Sequence, residues 1–175
     1  MKKLNADRIV SVSAIIVSLG TLFIIVYQTN LTRKAQKASV MPYISVAMSF
    51  HGAQQRIIVE NTGLGPAVIK FIGVDTGDSL FAGDPYAFAQ ASLGSGIEDI
   101  QYSTDIIMPG RLIPADKALF AFSHYTSEGN GDFIKQNFKF PYHRSGKHVI
   151  VIDYESVYGD QWRVKSDVNI PEQTR

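Results

Sequence analysis

The chain has no cysteine among its 175 residues. Structural disulfides, thiolate metal sites, cysteine nucleophiles and lipoprotein attachment are therefore excluded, although the absence fits either side of a membrane. Tryptophan occurs once, as Trp162, and histidine only as His51, His124, His143 and His148. No internal repeat and no low-complexity stretch is present. The most consequential absence is local. From Ile9 to Tyr27 (IVSVSAIIVSLGTLFIIVY) there is no charged residue.

Fourteen of those 19 residues are apolar, the others being Ser11, Ser13, Ser18, Gly20 and Thr21. As a helix the run covers about 28 Å, close to the roughly 30 Å hydrocarbon core of a bilayer. A cleaved secretory signal shares the basic start (Lys2, Lys3, Arg8), but its apolar region is shorter and ends at a small-x-small site. A core helix of a soluble protein rarely carries so long an uninterrupted apolar run. The run predicts a transmembrane helix over 9–27, after an N-terminal tail over 1–8.

Three Lys/Arg precede the span, and Arg33, Lys34 and Lys37 follow it, so the positive-inside count is balanced. A short tail before an uncleaved span favours an N-terminus in the cytoplasm and a C-terminal domain outside it. Ala14 and Ser18 form a small-x-x-x-small pair suited to a partner helix, although Ser and Thr in a lone span often bond their own backbone. Gln28 to Val40 contains no Gly or Pro, and Leu31, Ala35 and Ala38 keep helical spacing. A helical stalk over 28–40 is expected, stopped by Pro42. Its basic residues would meet lipid phosphates.

Charge divides at the same boundary. Residues 1–40 hold six Lys/Arg and one acid, whereas residues 41–175 hold 11 Lys/Arg and 15 Asp/Glu. An acidic domain lacks the electrostatic footprint for nucleic acid. Its 135 residues suit a single core and read as β-rich. Strands are expected over 43–50, 56–60, 68–74, 102–108, 118–124, 147–154 and 161–168, with short helices over 84–91 and 132–137. About seven short strands with Gly/Pro punctuation predict an antiparallel, immunoglobulin-like β-sandwich.

Two turns carry that reading. In VENTGLGPAVIKF (Val59–Phe71), Asn61 can bond its own backbone, Gly63 and Gly65 are placed to take φ > 0, and Pro66 restricts Gly65. No helix or Lys follows as a phosphate cradle requires. In VIDYESVYGDQWRV (Val151–Val164), a two-residue turn would mix charge with core. A three-residue turn with Gly159 left-handed puts Ile152, Tyr154, Trp162 and Val164 on one face. It also sets Asp153 opposite Arg163. This register predicts that Trp162 packs on Tyr154 in the core.

The run RKAQKASVMPYISV after a single span, ENTGLGPA between strands and the Tyr-x-Ser-x-Tyr-Gly-x-x-Trp hairpin (154–162) carry a resemblance. The chain resembles a largely uncharacterised class of small bacterial single-pass membrane proteins with a C-terminal immunoglobulin-like sandwich. That resemblance implies fold and anchoring in the inner membrane, and it supplies no catalytic residue.

No chemistry-bearing spacing stands out. His143 and His148 match no zinc pattern, no D-x-[DN]-x-[DN]-G loop is present, and no G-x-S-x-G surrounds Ser123 and His124. No catalytic, cofactor or metal residue is assigned. The long stretch Gly77–Ser103 lacks a clear strand and bears Leu80, Phe81, Tyr86, Phe88 and Leu93, either as a cap on the sandwich or as a binding flap. The expected function is non-catalytic binding of a protein partner or ligand at the membrane, for instance within a sensing or defence assembly or as a homo-oligomer. A membrane-tethered hydrolase or metal-dependent enzyme, its site assembled from distant His and Asp, is the alternative.

Overall fold

A computed structural model describes residues 6–51, 54–93, 102–125 and 148–174. The chain divides into two compact units, Met1–Ser39 and Val40–Arg175. The described part of the first is one helix, α1 (Ala6–Ser39). None of its residues is buried, and its most apolar 18-residue window has a mean hydropathy of 2.7. It is long and apolar enough to cross a membrane. Ser11, Ser18, Thr21 and Thr29 donate their hydroxyls to the carbonyls four residues earlier at 2.8 Å. These polar groups are thus satisfied within the helix, Ser18 by Ala14. The helix stops where Pro42 disfavours α geometry in the residue before it.

The second unit is built from β-strands: β1 (Ile44–His51), β2 (Gln54–Asn61), β3 (Ala67–Asp75), β4 (Leu80–Ala82), β5 (Tyr102–Ser103), β6 (Leu112–Ile113), β7 (Lys117–Tyr125), β8 (Val149–Glu155), β9 (Gln161–Lys165) and β10 (Glu172–Gln173). One short helix, α2 (Pro85–Leu93), lies between β4 and β5. Two antiparallel sheets form, with strand orders β1-β2-β7-β5 and β10-β9-β8-β3-β4, and β6 pairs with β3. Their apolar faces supply one core cluster: Ile44, Val46, Ile57, Val59, Leu119 and Phe122 from the first sheet, and Ile69, Ile72, Val74, Ile150, Ile152, Tyr154, Trp162 and Val164 from the second. Two bonds join the sheets at the β1 edge. Ile44 N–H donates to the Tyr154 hydroxyl (3.3 Å), and Val46 N–H to Asn169 Oδ1 (2.7 Å).

Two bulges set which residues face inward, and an alternating pattern cannot reveal them. Ile57 pairs with Phe122 but Ile58 with Phe120, so Ala121 is the extra residue and both Ala121 and Phe122 are buried. In β3, Ile69 pairs with Tyr154 but Phe71 with Asp153, which leaves Lys70 extra and exposed, bonded to Glu155 at 2.8 Å. The described strands number ten rather than about seven, because β4, β6 and β10 are edge pairings of two or three residues. The expected strand over 102–108 shrinks to Tyr102–Ser103. Beyond it the chain leaves β7 for the other sheet, where Gly110 N–H reaches the Ile69 carbonyl at 2.8 Å. The expected helix over 132–137 lies outside the described residues.

Candidate interaction surfaces

Asn61 is fully buried at the end of β2 and accounts for most of the polar bonding around it. Its Oδ1 accepts the backbone N–H groups of Tyr43 and Gly63, both at 3.1 Å. Its Nδ2 donates to the carbonyls of Gly65 (2.8 Å), Ile113 (3.0 Å) and Pro114 (3.2 Å). One side chain therefore ties together the start of β1, the β2–β3 turn and the β6–β7 turn. Backbone bonds extend the clamp, from Thr62 N–H to the Tyr43 carbonyl and from Leu64 N–H to the Met41 carbonyl, each 2.9 Å.

Neither Gly63 nor Gly65 has a positive φ, contrary to the sequence expectation. A Cβ at Gly65 would lie 1.9 Å from the Val40 carbonyl oxygen, and one at Gly63 would lie 2.3 Å from the Tyr43 nitrogen. The turn needs glycine because another stretch of backbone runs directly against it. Pro66 follows half-buried and starts the way into β3.

The β8–β9 hairpin has the three-residue register. Tyr154 pairs with Trp162 and Asp153 with Arg163, and Ser156 N–H donates to the Asp160 carbonyl at 2.9 Å. Gly159 has φ 81° in open space. Trp162 stacks on Tyr154 with ring centroids 5.7 Å apart, and both are buried. Burial pushes the Tyr154 hydroxyl up to about 12, partly offset by its bond from Ile44 N–H. Arg163 meets Asp153 through two bonds of 2.6 and 2.8 Å, which raise its pKa.

The 77–103 stretch is not structureless. Leu80–Ala82 pairs with β3 as β4. Asp84 caps α2, its Oδ1 accepting Ala87 N–H at 2.8 Å, and Pro85 sits at the first helical position. Phe88 is buried in the core, with Phe81 edge-on to it at 5.5 Å, and Tyr86 packs against the same cluster. Leu80 stands apart and exposed, and the Leu93 side chain lies outside the described residues. Phe81, Tyr86 and Phe88 come together against the core cluster, Phe81 and Tyr86 half-buried. The Tyr86 and Tyr102 hydroxyls are 2.7 Å apart with rings 4.8 Å apart, and this bond, foremost, raises the Tyr86 pKa.

A surface that sequence reasoning missed lies along Tyr102–Ile113. Asp105 and Phe120 exchange backbone and carboxylate bonds (2.7 and 2.8 Å) on the first sheet, and Arg111 O accepts Ile69 N–H on the second. The segment closes that side of the sandwich. Ile107 and Ile113 point into the core, while Ile106, Met108 and Leu112 stand out in solvent at 63%, 58% and 49% exposure. The signal was the DIIMPG run, in which two successive isoleucines cannot share one face of an extended chain. Phe120, also exposed, lies under the Arg56 guanidinium at 5.2 Å.

Among the described residues, no three His, Asp or Glu side chains are grouped to hold a metal ion. Ser123 is buried and accepts Gln54 Nε2 at 3.2 Å, and His148 lies edge-on to Phe88 at 5.3 Å. His143 lies outside the described residues. A family profile described as a domain of unknown function (DUF8453) matches residues 9–172. The chain belongs to the DUF8453 family. That match takes in the apolar run and the sandwich together, so both are parts of one DUF8453 unit. No curated protein matches the chain.

Proposed function

We propose that this DUF8453 protein is a non-catalytic binding module held in the bacterial inner membrane by α1. Its sandwich lies outside the cytoplasm and docks a protein partner along the Tyr102–Ile113 side. The observation carrying this reading is the alternation on that segment: Ile107 and Ile113 fill the core while Ile106, Met108 and Leu112 face solvent. Three exposed apolar side chains within one closing segment suit docking. An immunoglobulin type of sandwich agrees with this role. What supports that type is the strand order: β1-β2-β7-β5 follows A-B-E-D, and β10-β9-β8-β3-β4 follows G-F-C-C′ with β10 added at the edge.

The test is site-specific photo-crosslinking in native membranes, with a benzophenone amino acid at Met108 and, as a control, at Asp78 on the polar β3–β4 turn. A discrete adduct at Met108 that is absent at Asp78, and that disappears with Ile106→Lys, supports the reading. Equal or absent adducts at both positions contradict it. Ile106→Lys is exposed and should leave stability within about 0.5 kcal/mol of the parent, so its effect reports docking rather than folding.

A further inference from the structure

We propose that Tyr86 and Tyr102 are an oxidative cross-linking site, where hydrogen peroxide, acting through a peroxidase, joins the two rings as an intramolecular dityrosine. The proposal uses neither the membrane span nor the docking reading. Tyr86 lies in the first turn of α2 and Tyr102 opens β5, so a bond between them clasps the helix to the edge of the first sheet. A chain without cysteine has no disulfide for such a task.

The hydroxyls are in hydrogen-bond contact at 2.7 Å, and the ring centroids lie 4.8 Å apart with the planes tilted by 31°. The ortho carbon beside each hydroxyl therefore borders the same contact, and the ortho carbons are where a phenoxyl radical couples. Rings held this way react as neighbours within one molecule, at high effective concentration. Tyr102 is 42% exposed and open to an oxidant. Tyr86 packs on the core cluster and stacks on Phe122 at 6.5 Å, which fixes its ring. Among the described residues no other two tyrosine rings are in contact, although Tyr43 and Tyr158 are also exposed. In the reaction each phenol gives up one electron and one proton. Hydrogen peroxide takes up the two electrons and two protons and becomes two waters. The phenoxyl radicals join through their ortho carbons, and the hydrogens on those carbons move to the oxygens. Both hydroxyls are restored, and the product has two hydrogens fewer than the starting pair.

The sequence makes the test direct. No Lys or Arg lies between Phe71 and Gly110, so trypsin releases residues 71–111 as one peptide with both tyrosines, and Glu98 is its single glutamate. The purified full chain in detergent, its fold checked by Trp162 emission, is treated with a haem peroxidase and hydrogen peroxide. Monomers are then isolated under denaturing conditions and digested. The proposal expects dityrosine fluorescence in the monomer and a 71–111 peptide two hydrogens lighter, with or without oxygen added at the exposed Met108. Cleavage after Glu98 should leave the two halves joined, with fragment ions placing the bond at Tyr86 and Tyr102. Tyr86→Phe and Tyr102→Phe should each remove the link. Treated monomers whose 71–111 peptide falls apart at Glu98 overturn the proposal, as does dityrosine confined to dimers or to Tyr43 and Tyr158. A joined peptide that persists in either Phe variant also overturns it, since another residue is then the partner.

Discussion

Gly65 and Gly159 are the same residue type in two turns at one end of the sandwich, and they are glycine for opposite reasons. Gly65 has an ordinary backbone angle but no room, since a Cβ there would strike the Val40 carbonyl. Gly159 has ample room but a left-handed φ of 81° that side chains resist. The first turn is fixed by a long-range approach organised by Asn61, which holds the segment arriving from α1. The second is fixed locally, and its strands are held by Tyr154 and Trp162 beneath them. A glycine in a sequence reports a constraint without saying which kind.

The largest effects should come from the side chains that organise each turn. Asn61→Ala removes the side-chain partner of two N–H and three carbonyl groups, two of those bonds buried and three part-buried, and should cost about 3–5 kcal/mol in urea unfolding. A loss below about 1 kcal/mol would mean that water replaces the amide and that the clamp is not its work. Trp162→Ala should cost about 3–5 kcal/mol through the cavity it opens against Tyr154. A loss under about 1 kcal/mol would remove its core role. Gly65→Ala should cost about 2–3 kcal/mol because backbone, not a flexible side chain, must yield.

Raising pH tests the hairpin's support. The Tyr154 hydroxyl is pushed up to about 12 in the fold from an ordinary 10.0. Its contribution is fully present below pH 10 and is lost between pH 10 and 12, where the unfolded chain ionises and the folded one does not. The loss should be about 2 kcal/mol in the parent and absent in Tyr154→Phe. The smallest effect belongs to Gly159→Ala, about 1 kcal/mol, and Gly159→Asn should restore most of it because Asn tolerates left-handed geometry. Asn should rescue nothing at Gly65. If Asn behaves alike at both positions, the distinction between crowding and dihedral fails.

Much of the fold was legible because it is written in local patterns. The uncharged run, the stop before Pro42 and the Asp84-Pro85 helix start each depend on neighbouring residues. The hairpin register was legible because only one pairing separates Ile152, Tyr154, Trp162 and Val164 from charge, and that pairing is observed. The bulges at Lys70 and Ala121 were not legible, since an extra residue shows only against a partner strand. The close approach of Val40 to Gly65 spans 25 positions, and no spacing rule encodes it. The aromatics of 80–93 were legible as a cap or a flap, but not which of them enters the core, because the strands Phe88 packs among are distant in sequence. The exposure of Ile106, Met108 and Leu112 was hidden for a related reason. The segment crosses between sheets, so its alternation follows neither one.

If α1, long and apolar enough to cross a membrane, is an uncleaved span, the chain should resist extraction from membranes. The direct measurement is alkaline carbonate extraction of membranes from cells making the full chain, followed by intact-mass analysis of the retained protein. The chain should stay in the membrane pellet with a mass that includes residues 9–27. Release into the supernatant, or a mass that begins after Tyr27, would contradict it.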